Sequence, residues 1–236
     1  MYGWKAMIGL ILPSLNGIME PELNAMAPEG VSVHATRLLL PSGPSLEDLK
    51  KMAEGTESAA ELLASAGVNI IAYACTSGSL VGGAGWDKKL INRIEKAIPL
   101  PATTTSTAVI RACRELGVSK VALATPYDEA TNQVEKEFLE THDIEVVNMK
   151  GLNLHGDELR KAPPETTYNL TCEVDTDKAD AVFISCTGFK TITIIEKLEQ
   201  KLGKLVFSSN TATMWDVLKK LGVTEALKGY GKLFSH

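Results

Sequence analysis

Val68-Asn69-Ile70-Ile71-Ala72-Tyr73-Ala74 runs into Cys75-Thr76-Ser77-Gly78-Ser79, and Ala181-Val182-Phe183-Ile184-Ser185 runs into Cys186-Thr187-Gly188. Each is a continuous apolar stretch of strand length that stops at a cysteine, hydroxyl residues and a glycine, with a helical pattern beyond. Runs of this kind read as strands buried on both faces of a parallel sheet. In open α/β sheets ligands bind at the carboxyl ends of the strands. The two cysteines are therefore predicted to stand at a binding edge.

Outward from these stretches, the order of elements repeats. Pro13, closing the strand predicted over 6–12, corresponds to Pro126, closing the strand predicted over 120–125. Thr107-Ala108 corresponds to Thr211-Ala212, and the two following helices both end in Leu-Gly-Val, at 116–118 and 221–223. The expected fold is α/β: two similar doubly wound, Rossmann-like lobes related by a pseudo-twofold axis, with the site in the cleft between them. The first lobe is assigned to residues 1–103, completed by the C-terminal helix 211–236, and the second to 104–210. Such an axis would face Cys75 with Cys186.

Local signals fill in the rest. Further strands are expected over 31–40, 144–149 and 205–207. A helix is expected from about 20 to 26, and one capped by Ser45 is read through to Gly67. Gly78, Gly82, Gly83 and Gly85 read as a loop, followed by a helix over 86–97. Ser106 is read as the cap of a helix ending at Leu116, a charged helix spans 128–141, Pro163-Pro164-Glu165 opens another, and 190–202 is helical. The segments 79–85 and 39–44 are candidates for a mobile lid over a water-excluding cleft.

At 236 residues, with 44% hydrophobic and 22% charged residues, the chain has the composition of a globular protein. A net charge of -5 argues against nucleic acid or an anionic membrane as partner. No apolar run reaches the roughly 18 residues that cross a bilayer. The run 6–12, closed by Pro13-Ser14 and lacking a cleavage signal, reads as a strand rather than a leader. Four cysteines, at 75, 113, 172 and 186, show no paired metal or disulfide spacing. They fit free thiols in a reducing cytoplasm.

The chemistry at issue is that of a thiolate, favoured by backbone N–H groups where strand turns into helix. A single strand-end cysteine reads as a packed hydrophobe; two at equivalent repeat positions read as an active pair. Thr76, Ser77 and Thr187 supply hydroxyl and N–H donors suited to a carboxylate. Asn16, Tyr127 and Asn210 end other strands at the same predicted edge, with Thr103 to Thr105, Ser208 and Ser209. Cys113 and Cys172 lie inside helical patterns and are read as structural. Gly78 to Gly83 lacks the Gly-Lys-Ser/Thr ending of a phosphate loop. The histidines at 34, 142, 155 and 236 lack ligand spacing and are read as surface residues.

Together, Ala74 to Ser79, Ala124-Thr125-Pro126-Tyr127, Pro163-Pro164-Glu165, Ile184 to Thr187 and Ser208-Ser209-Asn210 resemble the Asp/Glu racemase superfamily. The similarity is to its maleate cis–trans isomerase and arylmalonate decarboxylase branch and spans nearly the whole chain. The resemblance implies a small carboxylate substrate, no cofactor or metal, and a homo-oligomer, dimer or tetramer. In the isomerases the residue matching Cys75 attacks maleate to give a succinyl-cysteine, and the residue matching Cys186 handles the proton. Asn16 and Tyr127 match carboxylate-binding positions, and Asn153 is the candidate for a further binding asparagine before the Pro-Pro-Glu.

Decarboxylases of the branch carry glycine in place of Cys75, so the presence of both cysteines favours isomerisation. A two-cysteine amino-acid or hydantoin racemase is the same-fold alternative, and a non-catalytic small-acid binding protein is the alternative outside enzymes. Two departures from the isomerase pattern bear on the substrate. Residues 151–157 form a segment one residue shorter, and Asn16 precedes Gly17-Ile18 rather than Thr-Thr.

Overall fold

The computed structural model describes residues 2–235. Two four-stranded parallel sheets carry the chain. The first contains β1 (Ala6–Pro13), β2 (Val31–Leu38), β3 (Ile70–Tyr73) and β4 (Ala102–Thr104) in the order β2-β1-β3-β4. The second contains β5 (Lys120–Thr125), β6 (Glu145–Gly151), β7 (Ala181–Ile184) and β8 (Leu205–Ser208) in the matching order β6-β5-β7-β8. Every residue of β3 and β7 is buried, as their unbroken apolar sequences require of central parallel strands. The repeat read in the sequence is thus a repeat of topology.

The first half of the chain supplies helices α1 (Met19–Met26), α2 (Leu46–Met52), α3 (Thr56–Ser65), α4 (Thr76–Leu80), α5 (Trp86–Ala97) and α6 (Thr105–Glu115). The second supplies α7 (Glu129–Glu140), α8 (Gly156–Lys161), α9 (Pro164–Val174), α10 (Ile195–Leu202) and α11 (Ser209–Lys220). The last helix, following β8 of the second sheet, packs on α6, on α1 and on β3 and β4 of the first sheet. Thr103 Oγ1 donates to Asp216 Oδ2 at 2.5 Å, Arg111 pairs with Asp216 Oδ1 at 2.9 Å, and Thr213 Oγ1 donates to Thr105 Oγ1 at 3.2 Å. One apolar core runs between the sheets, joining Leu10, Ile70, Val121, Phe183, Phe207 and Met214.

The structure corrects several local expectations. The helix read from Ser45 to Gly67 begins at the expected capping box with Asp48 but breaks at Ala53–Gly55, in a turn of tighter helix. Glycine, a poor helix former, stands at the break, and a Cβ on it would sit 2.7 Å from Leu38 Cδ2. The cap of α6 is Thr104, whose hydroxyl accepts from the Thr107 N–H at 3.1 Å, rather than Ser106. Thr103 and Thr104 belong to a strand that the proline-rich stretch concealed. The last helix ends at Lys220, and Lys232–Ser235 forms a separate short turn. Among the described residues no helix is long and apolar enough to cross a membrane.

Candidate active site

In both sheets the chain order reverses between the central strands, β1 and β3 in one, β5 and β7 in the other. Such reversal points open a crevice at the carboxyl edge, because the following connections leave to opposite sides. Here the two crevices face one another. Pro13 and Asn16 after β1, Cys75 to Ser77 after β3, Pro126 and Tyr127 after β5, and Cys186 to Gly188 after β7 all line a single cavity of about 110 Å³. That is small against the roughly 300 Å³ or more of pockets for drug-sized ligands, and suits a small acid.

Cys75 keeps an extended backbone (φ -147°) and caps α4. Its Sγ accepts from the Gly78 N–H at 3.3 Å and lies 3.8 Å from Ser77 Oγ. Burial pushes the thiol above its ordinary value, and these two donors pull against that rise. Gly78 leaves room for the sulfur: a Cβ there would lie 3.0 Å from Cys75 Sγ and 2.9 Å from Met52 Cε. The buried hydroxyl of Tyr73, two residues earlier, has no hydrogen-bond partner.

Cys186 is held differently. Its φ of 86° is left-handed, a conformation that costs a side-chain-bearing residue roughly 1–2 kcal/mol. Strain of this kind collects where a site dictates the backbone. The Gly188 N–H donates to Cys186 Sγ at 3.3 Å. Burial is the main force pushing this thiol up to about 12; the Gly188 N–H and the Tyr127 hydroxyl oppose it, while charge on Cys75 and Glu135 adds to it. Tyr127 is itself held well above the usual phenol value by burial and by the neighbouring Cys186 and Glu135. It remains a donor throughout the physiological range.

Behind this pair lies a residue that the sequence reading left in a charged helix. Glu135, on α7, is fully buried; its Oε1 accepts from Ser185 Oγ at 2.6 Å and its Oε2 has no partner. Burial raises its carboxyl to about 7, against the single opposing hydrogen bond from Ser185.

The remaining predicted residues divide into three groups. Asn16 lines the cavity and stitches it: its Oδ1 accepts from the Ile18 and Met19 N–H groups at 2.9 and 3.0 Å, and its Nδ2 donates to Thr187 Oγ1 at 2.7 Å. Thr76, Ser77, Tyr127 and Thr187 line the same cavity, and Thr76 Oγ1 donates to Ser209 Oγ at 2.8 Å. Asn210, by contrast, is buried beneath it, donating to Glu22 Oε2 at 2.7 Å, while Glu22 Oε1 accepts from the Thr191 N–H at 2.6 Å. Thr103, Thr104, Thr105, Ser208 and Ser209 are buried at the sheet edge and do not line the cavity.

Asn153 stands apart from the cavity. It is exposed, left-handed (φ 53°), paired with His155 Nε2 at 3.0 Å and absent from the cavity wall. His155 and Arg160, from the same region, line the wall. His155 was expected at the surface, as were His34, which pairs with Ser32, and His142, which bonds the Phe138 carbonyl; His236 lies outside the described residues. Cys113 is buried, its thiol pushed up to about 12, and Cys172 packs against the apolar core of the second sheet.

The two lid candidates also separate. Ser79 to Val81 are buried, Ser79 Oγ is bonded to Ser106 Oγ at 2.6 Å, Gly82, Ala84 and Gly85 are exposed, and none of 79–85 lines the cavity. In 39–44, Leu40 and Pro44 line the cavity, and a Cβ on Gly156 would meet Ser42 Oγ at 2.2 Å. The loop from the first sheet thus touches the α8 region of the second at the cavity rim.

A family model described as arylmalonate decarboxylase matches residues 8–234. The chain belongs to the arylmalonate decarboxylase family. It is 30% identical to a maleate isomerase of Geobacillus stearothermophilus, over 97% of this chain and 96% of that one. Its identity to an arylmalonate decarboxylase of Bordetella bronchiseptica is 29%, over 94% of this chain and 96% of that one. The fold superposes, with a TM-score of 0.92 and 25% identity, on a Nocardia farcinica maleate cis–trans isomerase variant bearing a covalently bound succinylcysteine intermediate; the match covers 97% of this chain and 98% of that one. Within the arylmalonate decarboxylase family, then, this member presents two sulfurs to one cavity, each meeting a backbone N–H. One is extended at the start of a helix, the other strained and backed by a phenol.

Proposed function

We propose that this chain is a cofactor-independent cis–trans isomerase of a small cis-butenedioate of the maleate type, acting through a covalent adduct on Cys75. The observation that carries the reading is the shared cavity: both cysteines reach it from matching strand ends. The asymmetry in their surroundings supports different roles.

In this reading the Cys75 thiolate forms a C–S bond to one olefinic carbon. The displaced π electrons take the proton of the Cys186 thiol at the adjacent carbon. The new single bond rotates; the Cys186 thiolate then removes the proton, the C–S bond breaks, and the trans olefin leaves with Cys75 restored as thiolate. No electrons enter or depart, so the cycle needs no redox partner. The covalent step replaces rotation about a double bond by two lower barriers. A thiol held near 12 suits Cys186 to deliver its proton, and the Tyr127 hydroxyl steadies the thiolate left behind. The N–H groups of Thr76, Ser77 and Thr187 are the proposed carboxylate cradle, with Asn16 holding the two halves of that cradle in register.

Proton NMR of the purified protein with maleate tests this: conversion of the maleate olefinic signal into that of fumarate is the expected result. Release of CO₂ from a substituted malonate with no fumarate formed would favour decarboxylation instead. A homo-oligomer in a reducing compartment belongs to the same reading, and sedimentation velocity measures the assembly.

A further inference from the structure

We infer that the preferred substrate carries a short alkyl group on one olefinic carbon, a 2-alkylmaleate rather than maleate itself, with its outer carboxylate met by Arg160 and His155. The inference rests on the isomerase reading and concerns the wall of the cavity that the catalytic steps leave unused.

That wall is apolar. Leu15, Ile18, Leu40, Leu49, Leu154 and Leu159 line it, drawn from both halves of the chain. A bare dianion has nothing to offer such a surface, and a carboxylate pressed against leucines without a partner is strongly disfavoured. Both demands are met if the second carboxylate points to Arg160 and His155, the basic side chains on the lining among the described residues, and an apolar substituent covers the leucines. Arg160 is free to serve: its Nη2 pairs with Asp157 Oδ1 at 2.5 Å, but both side chains are more than half exposed, and such pairs hold weakly.

The position of the substituent follows from Leu159. A Cβ on Gly188 would lie 3.0 Å from Leu159 Cδ2 and 3.5 Å from Cys186 Sγ. The leucine methyl and the sulfur that exchanges the proton thus flank the same point above Gly188. Attack by Cys75 on the unsubstituted carbon, the less hindered one, leaves the alkyl-bearing carbon toward Cys186 and Leu159.

Steady-state kinetics on the full chain with maleate and methylmaleate provide the test, joined by protection of Cys75 from iodoacetamide by succinate and methylsuccinate. A kcat/KM about tenfold higher for methylmaleate, falling toward parity in Leu159→Ala, is expected. Arg160→Gln should raise KM about tenfold for both substrates with a smaller change in kcat. Equal or better turnover of maleate, or no change of ratio in Leu159→Ala, would overturn the inference while leaving the isomerase reading intact. If neither substrate turns over, the isomerase reading fails; stronger protection by methylsuccinate than by succinate would still support the apolar subsite, and equal protection would overturn it.

Discussion

The turn after β3 and the turn after β7 occupy matching places in a duplicated scaffold, yet they fold differently. Cys75 leaves its strand in extended geometry and starts a short helix whose Gly78 N–H and Ser77 hydroxyl meet the sulfur. Cys186 leaves its strand in left-handed geometry; no helix follows until Ile195, and its sulfur meets one glycine N–H and a tyrosine. Burial raises both thiols; at Cys75 the Gly78 N–H and the Ser77 hydroxyl oppose the rise, whereas at Cys186 charge on Cys75 and Glu135 adds to it and favours a retained proton. Duplication supplied two thiols, and local backbone chemistry made them unlike.

The largest effects should come from removing either sulfur. Cys75→Ala and Cys186→Ala are each expected to lower turnover by about 10³-fold or more, with circular dichroism unchanged. Cys186→Ser should still form the adduct but release it slowly, leaving substrate mass on Cys75 by mass spectrometry. An unmodified Cys75 there would show that the two turns do not divide the labour as described.

Tyr127→Phe removes the donor that distinguishes the second turn and should cost about 10²-fold in kcat, with little change in KM. A comparable loss in Tyr73→Phe, beside the first turn, would erase the proposed difference.

Glu135 gives the comparison a pH dependence. Its folded value of about 7 exceeds the ordinary value of 4.5, so the folded chain binds this proton more tightly than the unfolded chain. Stability is thus highest below the ordinary value and falls as pH rises from about 4.5 to about 7. The loss is on the order of 3 kcal/mol. Glu135→Gln should flatten that decline, measured as the difference in unfolding midpoint between variant and parent from pH 5 to 8. A parallel pair of curves would remove Glu135 from the account.

The smallest effect concerns strain. Cys186→Gly should be more stable than Cys186→Ala by roughly 1 kcal/mol, whereas Cys75→Gly should be no more stable than Cys75→Ala, because only the second turn is left-handed. Urea titration of the four variants reads this directly.

What could be read in the chain was whatever repeated. The two apolar runs ending at Cys75 and Cys186 announced central strands, and the recurring Leu-Gly-Val announced helices of equal rank. What could not be read depended on contacts between distant segments. Glu135 sits in Glu135-Lys136-Glu137-Phe138-Leu139-Glu140, which reads as a solvated face until Ser185 and Tyr127 are folded over it. Arg160 and His155 lie where no periodicity marks α8, and Asn153 matched by type while its left-handed backbone and its bond to His155 leave it off the cavity wall. The amphipathic pattern from Ser45 breaks at Ala53–Gly55, where glycine is a poor helix former.

The docking of α11 against β3 and β4 has a consequence for biogenesis. A nascent chain emerging N-terminus first has four strands of its first half in hand, but the helix that covers them emerges only after all four strands of the second half. Until then the face of β3 and β4 on which α11 packs, at the base of the Cys75 turn, lies uncovered. Truncation before residue 209 should therefore yield neither a weakened catalyst nor a half-sized one, but a chain that cannot finish folding.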